Sequence, residues 1–388
     1  MIYDIVMDEV ADRGIYKGEV YAPFFICSYA THCFNLMNQK NKVYWESKRL
    51  PNMRLHINFV APSGFMKSFF MEQMGGGEFG IFRDTGVDIG YEQEMSGAGL
   101  VGTIRNDGTG EIIEGSAQVY NEGLMLIDEF SGVTNAMNSQ YNNQMDTQLL
   151  AVLDHGHVVK RLAGGLIDYT TYMTMWAGVQ PTRFDLTAGL GRRLCYLLFL
   201  PTRTDNDLLL ESIHLARNKK PKQLEINKLR MDIMRWRNKL DVIKRLEFDD
   251  SVFKLYKDIK LFSFESSHFD RLLLGYHLAT NEPDTKMVVS ANDKELIDLV
   301  KREKSWRDSI IMGVDYLQMI RIVKVCGACT EDEKKGTVTF GIQKNELSKE
   351  ALMVGWNAQQ VNEMLMEMNK YGMVKLKGNI VTIEESLE

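Results

Sequence analysis

The chain has 388 residues, 45% of them hydrophobic and 25% charged, with a formal net charge of -6. That length gives room for about two or three domains of ordinary size, and the apolar share is enough for a sizeable buried core. The negative balance excludes a polycation that coats nucleic acid, so any DNA contact has to be concentrated in local basic patches.

Residues 1 to about 50 read as helical. Within them VYAPFFICSYATHCFNLMNQ (20–39) carries no Asp, Glu, Lys or Arg and is long enough to span a membrane. Ser28, Thr31, His32, Asn35 and Asn38 would then sit in hydrocarbon, so a helix buried against a soluble domain accounts for the run better. No basic leader with a cleavage site precedes it, and the expected compartment is the cytoplasm. Cys27, Cys33, Cys195, Cys326 and Cys329 read as reduced thiols. Only Cys326 and Cys329 form a C-x-x-C, and no second pair completes a zinc site.

From Arg54 the texture changes to short apolar runs alternating with turns and helices, the α/β pattern. LHINFV (55–60) reads as a buried strand, APSGFMKS (61–68) as a loop, and Lys67 opens a helical run, SFFMEQM. Glycine is dense between Gly75 and Gly123, the mark of hairpins and tight turns. GLMLIDEF (123–130) is a strand ending in two acids. Beyond about Pro201 the chain turns helical, and INKLRMDIMRWRNKLDVIKRL (226–246) has apolar residues at helical spacing with Lys and Arg on a solvated face. TEDEKKG (330–336) reads as a charged turn. The remainder predicts a helix over 346–354, a turn at 355–357, a helix over 358–371, and strands over 373–377 and 380–383 around Gly378-Asn379. Helix, turn, helix and two-stranded wing is the order of a winged-helix domain. Its second helix sets Glu363 and Glu367 against a single lysine, which suits a protein-binding or regulatory module better than a groove reader.

A strand, a turn and a helix N-terminus present backbone N–H groups to phosphate. In the loop Ala61, Pro62, Ser63, Gly64, Phe65 and Met66 would wrap the phosphates, with Ala61 and Met66 where a phosphate-binding loop usually has glycine. Lys67 would reach the β- and γ-phosphates, and the Ser68 hydroxyl would ligate Mg²⁺. Asp128 would hold the Mg²⁺ through water, and Glu129 would orient and deprotonate the attacking water. The two motifs together, in this order, predict a nucleoside triphosphatase.

These residues resemble the MCM replicative helicases of the AAA+ class. APSGFMKS keeps the Gly64, Lys67 and Ser68 of that family's loop, and GLMLIDEF matches its acidic motif, G-x-x-x-I-D-E-F. MSGAGLVGTIRNDGTGEIIEGSAQVYNEG (95–123) is similar to the family's helix-two hairpin, with its tip at 106–111 and its return at 114–117. LLAVLDHGHVVKRLAGGLIDYTTYMTMWAGVQPTRFD (149–185) is similar to its hairpin before sensor 1 and the sensor strand. The resemblance implies an AAA+ P-loop ATPase core over 51–200, a helical lid and linker over 201–305 and a winged helix over 306–388, behind a helical segment over 1–50. Nothing matches the family's OB-fold and zinc half, so a truncated form is implied.

By the same resemblance Gln180, before Pro181, stands at the γ-phosphate sensor. Arg192 in GLGRRL (189–194) stands at the arginine finger, with Arg193 as its understudy, and Arg271 is the candidate second-sensor arginine. A finger acts on the neighbouring subunit's nucleotide, which demands a head-to-tail ring; the family's number is a homo-hexamer. Arg105, Lys160 and Arg161 on the hairpins would track the backbone of single-stranded DNA. The expected activity is an ATP- and Mg²⁺-dependent DNA helicase or translocase, with a replication-initiation or loading protein as a partner for the winged helix. Its rivals are an AAA+ DNA-remodelling initiator or transcription regulator, and an ATP-binding scaffold with little turnover.

Overall fold

Apolar runs without helical spacing, such as HINFV, LMLI, TMWAGV and LCYLL, become strands whose every residue is buried, because both faces of their sheet are covered. The computed structural model describes the chain except residues 42–43, 46–47, 50–51, 63, 93–95, 106–108, 131–144, 163–164, 181–192, 219–222, 264, 313, 333–336, 354–355, 371–372 and 387–388. Five strands, β1 (His56–Val60), β2 (Ile89–Glu92), β3 (Leu124–Ile127), β4 (Thr174–Val179) and β5 (Leu194–Leu198), pair in parallel in the order β5-β1-β4-β3-β2. The result is an α/β protein with a five-stranded parallel sheet flanked by helices, consistent with a Rossmann-like or P-loop core.

The helices used below are α1 (Ile2–Asp12), α2 (Gly18–Asn41), α3 (Lys67–Met71), α4 (Arg203–Asn218), α5 (Gln223–Lys239), α6 (Ser266–Thr280), α7 (Lys294–Met312), α8 (Val314–Cys326), α9 (Lys344–Met353) and α10 (Ala358–Lys370). The uncharged run 20–39 lies in α2, as expected, and its polar residues Ser28, Thr31, His32, Asn35 and Asn38 are all buried. They bond the edge of the sheet where the strands begin. Ser28 accepts from the Trp176 indole at 2.7 Å and donates to the Leu55 carbonyl at 2.5 Å. His32 meets Thr174 at 2.9 Å and the Glu122 carbonyl at 3.2 Å, and Asn35 accepts from the Met53 N–H at 3.3 Å. Among the described residues no helix is long and apolar enough to cross a membrane.

Two local expectations change. The helix read over 226–246 stops at Lys239; after a 3-10 turn, Arg245–Phe248 is a strand between Lys286–Val289 and Tyr44–Trp45. The Lys244 and Arg245 N–H groups both go to the Thr285 carbonyl, and Leu246 enters the main core, which overrides the helical spacing. Likewise TEDEKKG begins as strand: Thr330–Asp332 belong to Ala328–Asp332, paired with Thr337–Gln343. With α9, α10 and the strands Lys375–Lys377 and Ile380–Ser386 these form a C-terminal unit around Met319, Ile322, Val323, Leu347, Leu365 and Val381. The other side of α8 faces the main body. Gln318 donates to the Pro201 carbonyl at 2.7 Å, and Arg321 lies 3.5 Å from Asp205, which also holds Lys17 at 2.7 Å and the Thr202 N–H at 2.8 Å.

One buried ion network crosses the layers. Glu303 of α7 takes Arg307 at 2.7 Å, the Tyr196 N–H at 3.1 Å and His268 of α6 at 3.2 Å, while Arg307 also donates to the Leu194 carbonyl at 2.8 Å. Cys195, His268 and Glu303 are metal-ligand residue types lying together, but Arg307 already neutralises the carboxylate, so the cluster closes as an ion network. Burial alone would raise the Glu303 carboxyl; Arg307 and His268 outweigh it and hold the group at about 2. Burial keeps His32 neutral down to about 3 and also lowers His268 and His56.

Both signs run the same way. Below about 6.5 the unfolded chain protonates these histidines while the folded chain does not, and below 4.5 it protonates Glu303 while the folded chain resists until about 2. Stability should therefore fall on acidification from about pH 6.5, by about 1.4 kcal/mol per pH unit for each buried histidine. Urea midpoints at pH 7 and pH 5 measure this, and His32→Asn should flatten the slope; equal midpoints at the two pH values would contradict it.

Candidate nucleotide site and hairpin face

Because β4 lies between β1 and β3, the ends of these three strands stand side by side at the carboxyl edge of the sheet, where open α/β sheets take ligands. The chain leaving β1 is first held by the Ala61 N–H on the Val179 carbonyl at 3.1 Å. Gly64 has φ +79°, with open space where a Cβ would point. Met66 has φ 46° and ψ -39°, and the Lys67 N–H reaches back to the Phe65 carbonyl at 2.6 Å. This is a γ-turn of the strained, positive-φ kind, at the position where glycine is usual. The strain costs roughly 1–2 kcal/mol and is offset because the Met66 side chain is buried in the main core.

Lys67 is buried, and its ammonium donates to the carbonyls of Ala61 at 2.7 Å and Pro62 at 2.9 Å. Desolvation lowers its pKa to about 8, against the opposing pull of Glu129 and Asp128, so it remains cationic at neutral pH. The Ser68 hydroxyl donates to the Asp128 carboxylate. Asp128 and Glu129 leave β3 just before Phe130, whose buried ring and N–H, 2.7 Å from the Gly178 carbonyl, fix that end against β4. The Gln180 amide donates to Glu129 Oε2 at 2.8 Å. Lys67, Ser68, Asp128, Glu129 and Gln180 are thus brought together, and Ser63 lies outside the described residues.

Two contributors escape the sequence reading. A Cβ on Gly178 would come within 2.7 Å of the Asp128 carbonyl and 3.3 Å of the Lys67 side chain, so only glycine leaves room for the lysine. A glycine inside a buried strand was the available signal. The phenol of Tyr91 on β2 is pushed up by burial and by hydrogen bonding to Asp128, and no sequence pattern marks it.

The donor set fits MgATP in kind. A hydroxyl and a carboxylate in contact are the hard oxygen ligands Mg²⁺ takes, with a cationic amine beside them for phosphate. A triphosphate would have to take over the Lys67 ammonium and N–H from the loop carbonyls.

Arg271 does not join this group. Its guanidinium lies 4.0 Å from Asp154, which also holds Arg193 at 2.7 Å. Asp154 follows the helix Met145–Leu153, whose last carbonyl accepts from His56 at the start of β1, so this cluster occupies the opposite edge of the sheet. Five strand residues, about 15 Å, separate the two edges. Arg271 is buried on α6 with Asp154 as its counter-charge, and it cannot contact the nucleotide of its own chain. Arg192 lies outside the described residues.

Both hairpins are present, as Thr103–Ile104 with Ile112–Ile113 and His157–Leu162 with Gly165–Thr170. They touch: Lys160 donates to the Gly102 carbonyl at 3.1 Å, and a Cβ on Gly165 would lie 3.1 Å from Ile104. Arg105 is ion-paired with Glu111, Lys160 is half-buried, and Arg161 is exposed. Of the three, Arg161 presents its charge most openly. Cys326 and Cys329 are exposed free thiols.

No protein-family model matches the chain, and no curated protein matches it in sequence.

Met66→Gly should relieve the γ-turn yet remove a buried side chain worth about 1.5–3 kcal/mol, so burial wins and the urea midpoint falls; a rise would show that strain dominates. Gly178→Ala should displace Lys67 and weaken fluorescent-ATP binding about tenfold or more; unchanged binding would remove Gly178 from the site.

Proposed function

We propose that the chain is an ATP-driven DNA motor, an MCM-like helicase or translocase with an AAA+ core, a helical lid over 201–305 and a C-terminal winged helix. The reading rests chiefly on the meeting of Lys67, the Ser68–Asp128 pair and the Glu129–Gln180 pair at one edge of the sheet. Lys67 would bind the phosphates, and Ser68 and Asp128 would hold a Mg²⁺, whose contribution there would be to neutralise phosphate charge. Glu129 takes a proton from the attacking water, and Gln180, bonded to its carboxylate, sets its direction.

Arg192 is the candidate arginine finger, and a finger of this kind serves the triphosphate of a neighbouring subunit. Such service requires a ring, and six subunits is the number the MCM resemblance carries. Arg105, Lys160 and Arg161 on touching hairpins form the region for single-stranded DNA, with Arg161 foremost.

A scaffold that binds ATP and barely turns it over is the second reading. It is favoured by the Met66 γ-turn, which ties the Lys67 N–H inside the loop.

ATP hydrolysis with and without single-stranded DNA separates the two. The motor predicts several-fold stimulation that is lost in Glu129→Gln and Arg192→Ala. ATP binding without stimulated turnover would overturn it in favour of the scaffold.

A further inference from the structure

The basic side of α5 takes no part in the nucleotide chemistry. Leu224, Lys228, Met231 and Arg235 fall on one stripe of that helix, with Leu224 81% and Met231 52% exposed. Single exposed apolar residues are ordinary, but two in line between cations form the kind of strip against which an amphipathic helix packs. Arg235 meets Asp232 at 2.9 Å and Lys239 meets Glu282 at 3.2 Å, and the exposed Lys228 stands between Leu224 and Met231.

The complementary surface is on α10. Met366 is 63% exposed, with Glu363 and Glu367 beside it and Lys370 at the end of the helix. Leu352 of α9 is a further exposed apolar side chain of the same unit, at 62%.

We infer that α10 of one copy docks on α5 of the next, Met366 against Leu224 and Met231, and Glu363 and Glu367 against Lys228 and Arg235. Both faces are exposed within a single chain, so the contact joins copies. Methionine, flexible and polarizable, suits a surface that forms and releases. The two patches differ, so the contact is heterologous and propagates head to tail, closing into a ring or extending as a filament. It stands whether or not the chain hydrolyses ATP.

The test is a charge exchange on the full-length protein, read by sedimentation and thermal melting. Lys228→Glu/Arg235→Glu and Glu363→Lys/Glu367→Lys should each raise the apparent dissociation constant of self-association about a hundredfold without altering the melting temperature. Mixing the two variants should restore assembly, because each then offers the other a complementary face. Assembly untouched by either exchange, or not restored on mixing, overturns the contact. So does loss of single-stranded DNA binding in Lys228→Glu/Arg235→Glu with assembly unchanged, which would make the strip a nucleic-acid contact. Leu224→Ser, neutral in charge, is the second variant should a charged one fail to fold, and it too should weaken assembly. Stimulated ATP hydrolysis is measured separately, so its absence would count against the motor and leave the docking result intact.

Discussion

The pairing of β4 with β1 on one side and β3 on the other decides what the rest of the molecule can do. Parallel strands end at a common edge, so inserting β4 puts a lysine from one loop, two carboxylates from another and a glutamine from a third within reach of one another. It also forces close approach. Gly178 has no side chain because the Lys67 methylenes and the Asp128 carbonyl fill the place where one would go. The strands before and after have to be held in register for this to work, and that is the task of the opposite edge. There Arg54 bonds the Met173 and Val152 carbonyls, and His56 accepts from the Met175 N–H while meeting the Leu153 carbonyl.

Such register is obtained with buried polar groups, and each would be costly without its partner. In α2 the hydroxyls, imidazole and amide that argue against a membrane span are the same groups that bind the sheet. The helix is therefore an integral part of the core, and the short strand Tyr44–Trp45 after it joins a second sheet between Arg245–Phe248 and Lys48–Arg49.

What could be read from the sequence was what is local. The buried strands announced themselves by apolar runs, the loop after β1 and the helix it opens by Lys67-Ser68 following such a run, and the acidic pair by its place at a strand end. The first hairpin and the C-terminal helix–helix–hairpin order were legible from glycine turns and periodicity, and the second hairpin from the family resemblance. The failures have a common cause in contacts distant in sequence. Arg245–Phe248 carries helical spacing, yet its backbone is claimed by strands about 40 residues ahead and 200 behind. Arg271 lay near the right place along the chain, but Asp154 on another segment holds its charge. Tyr91 sits on an edge strand whose neighbour could not be deduced from spacing.

The two faces of α8 have a mechanical meaning. Met319, Ile322 and Val323 belong to the core of the C-terminal unit, while Gln318 and Arg321 grip Pro201 and Asp205 on the body. Asp205 in turn holds Lys17, whose ammonium lies over the Phe199 ring, and Phe199 packs 6.3 Å from Phe65 in the loop after β1. The C-terminal unit is thus mounted on the body through a shared beam instead of trailing from a tether. The helix that seats the C-terminal unit therefore stands only a few side chains away from the loop after β1.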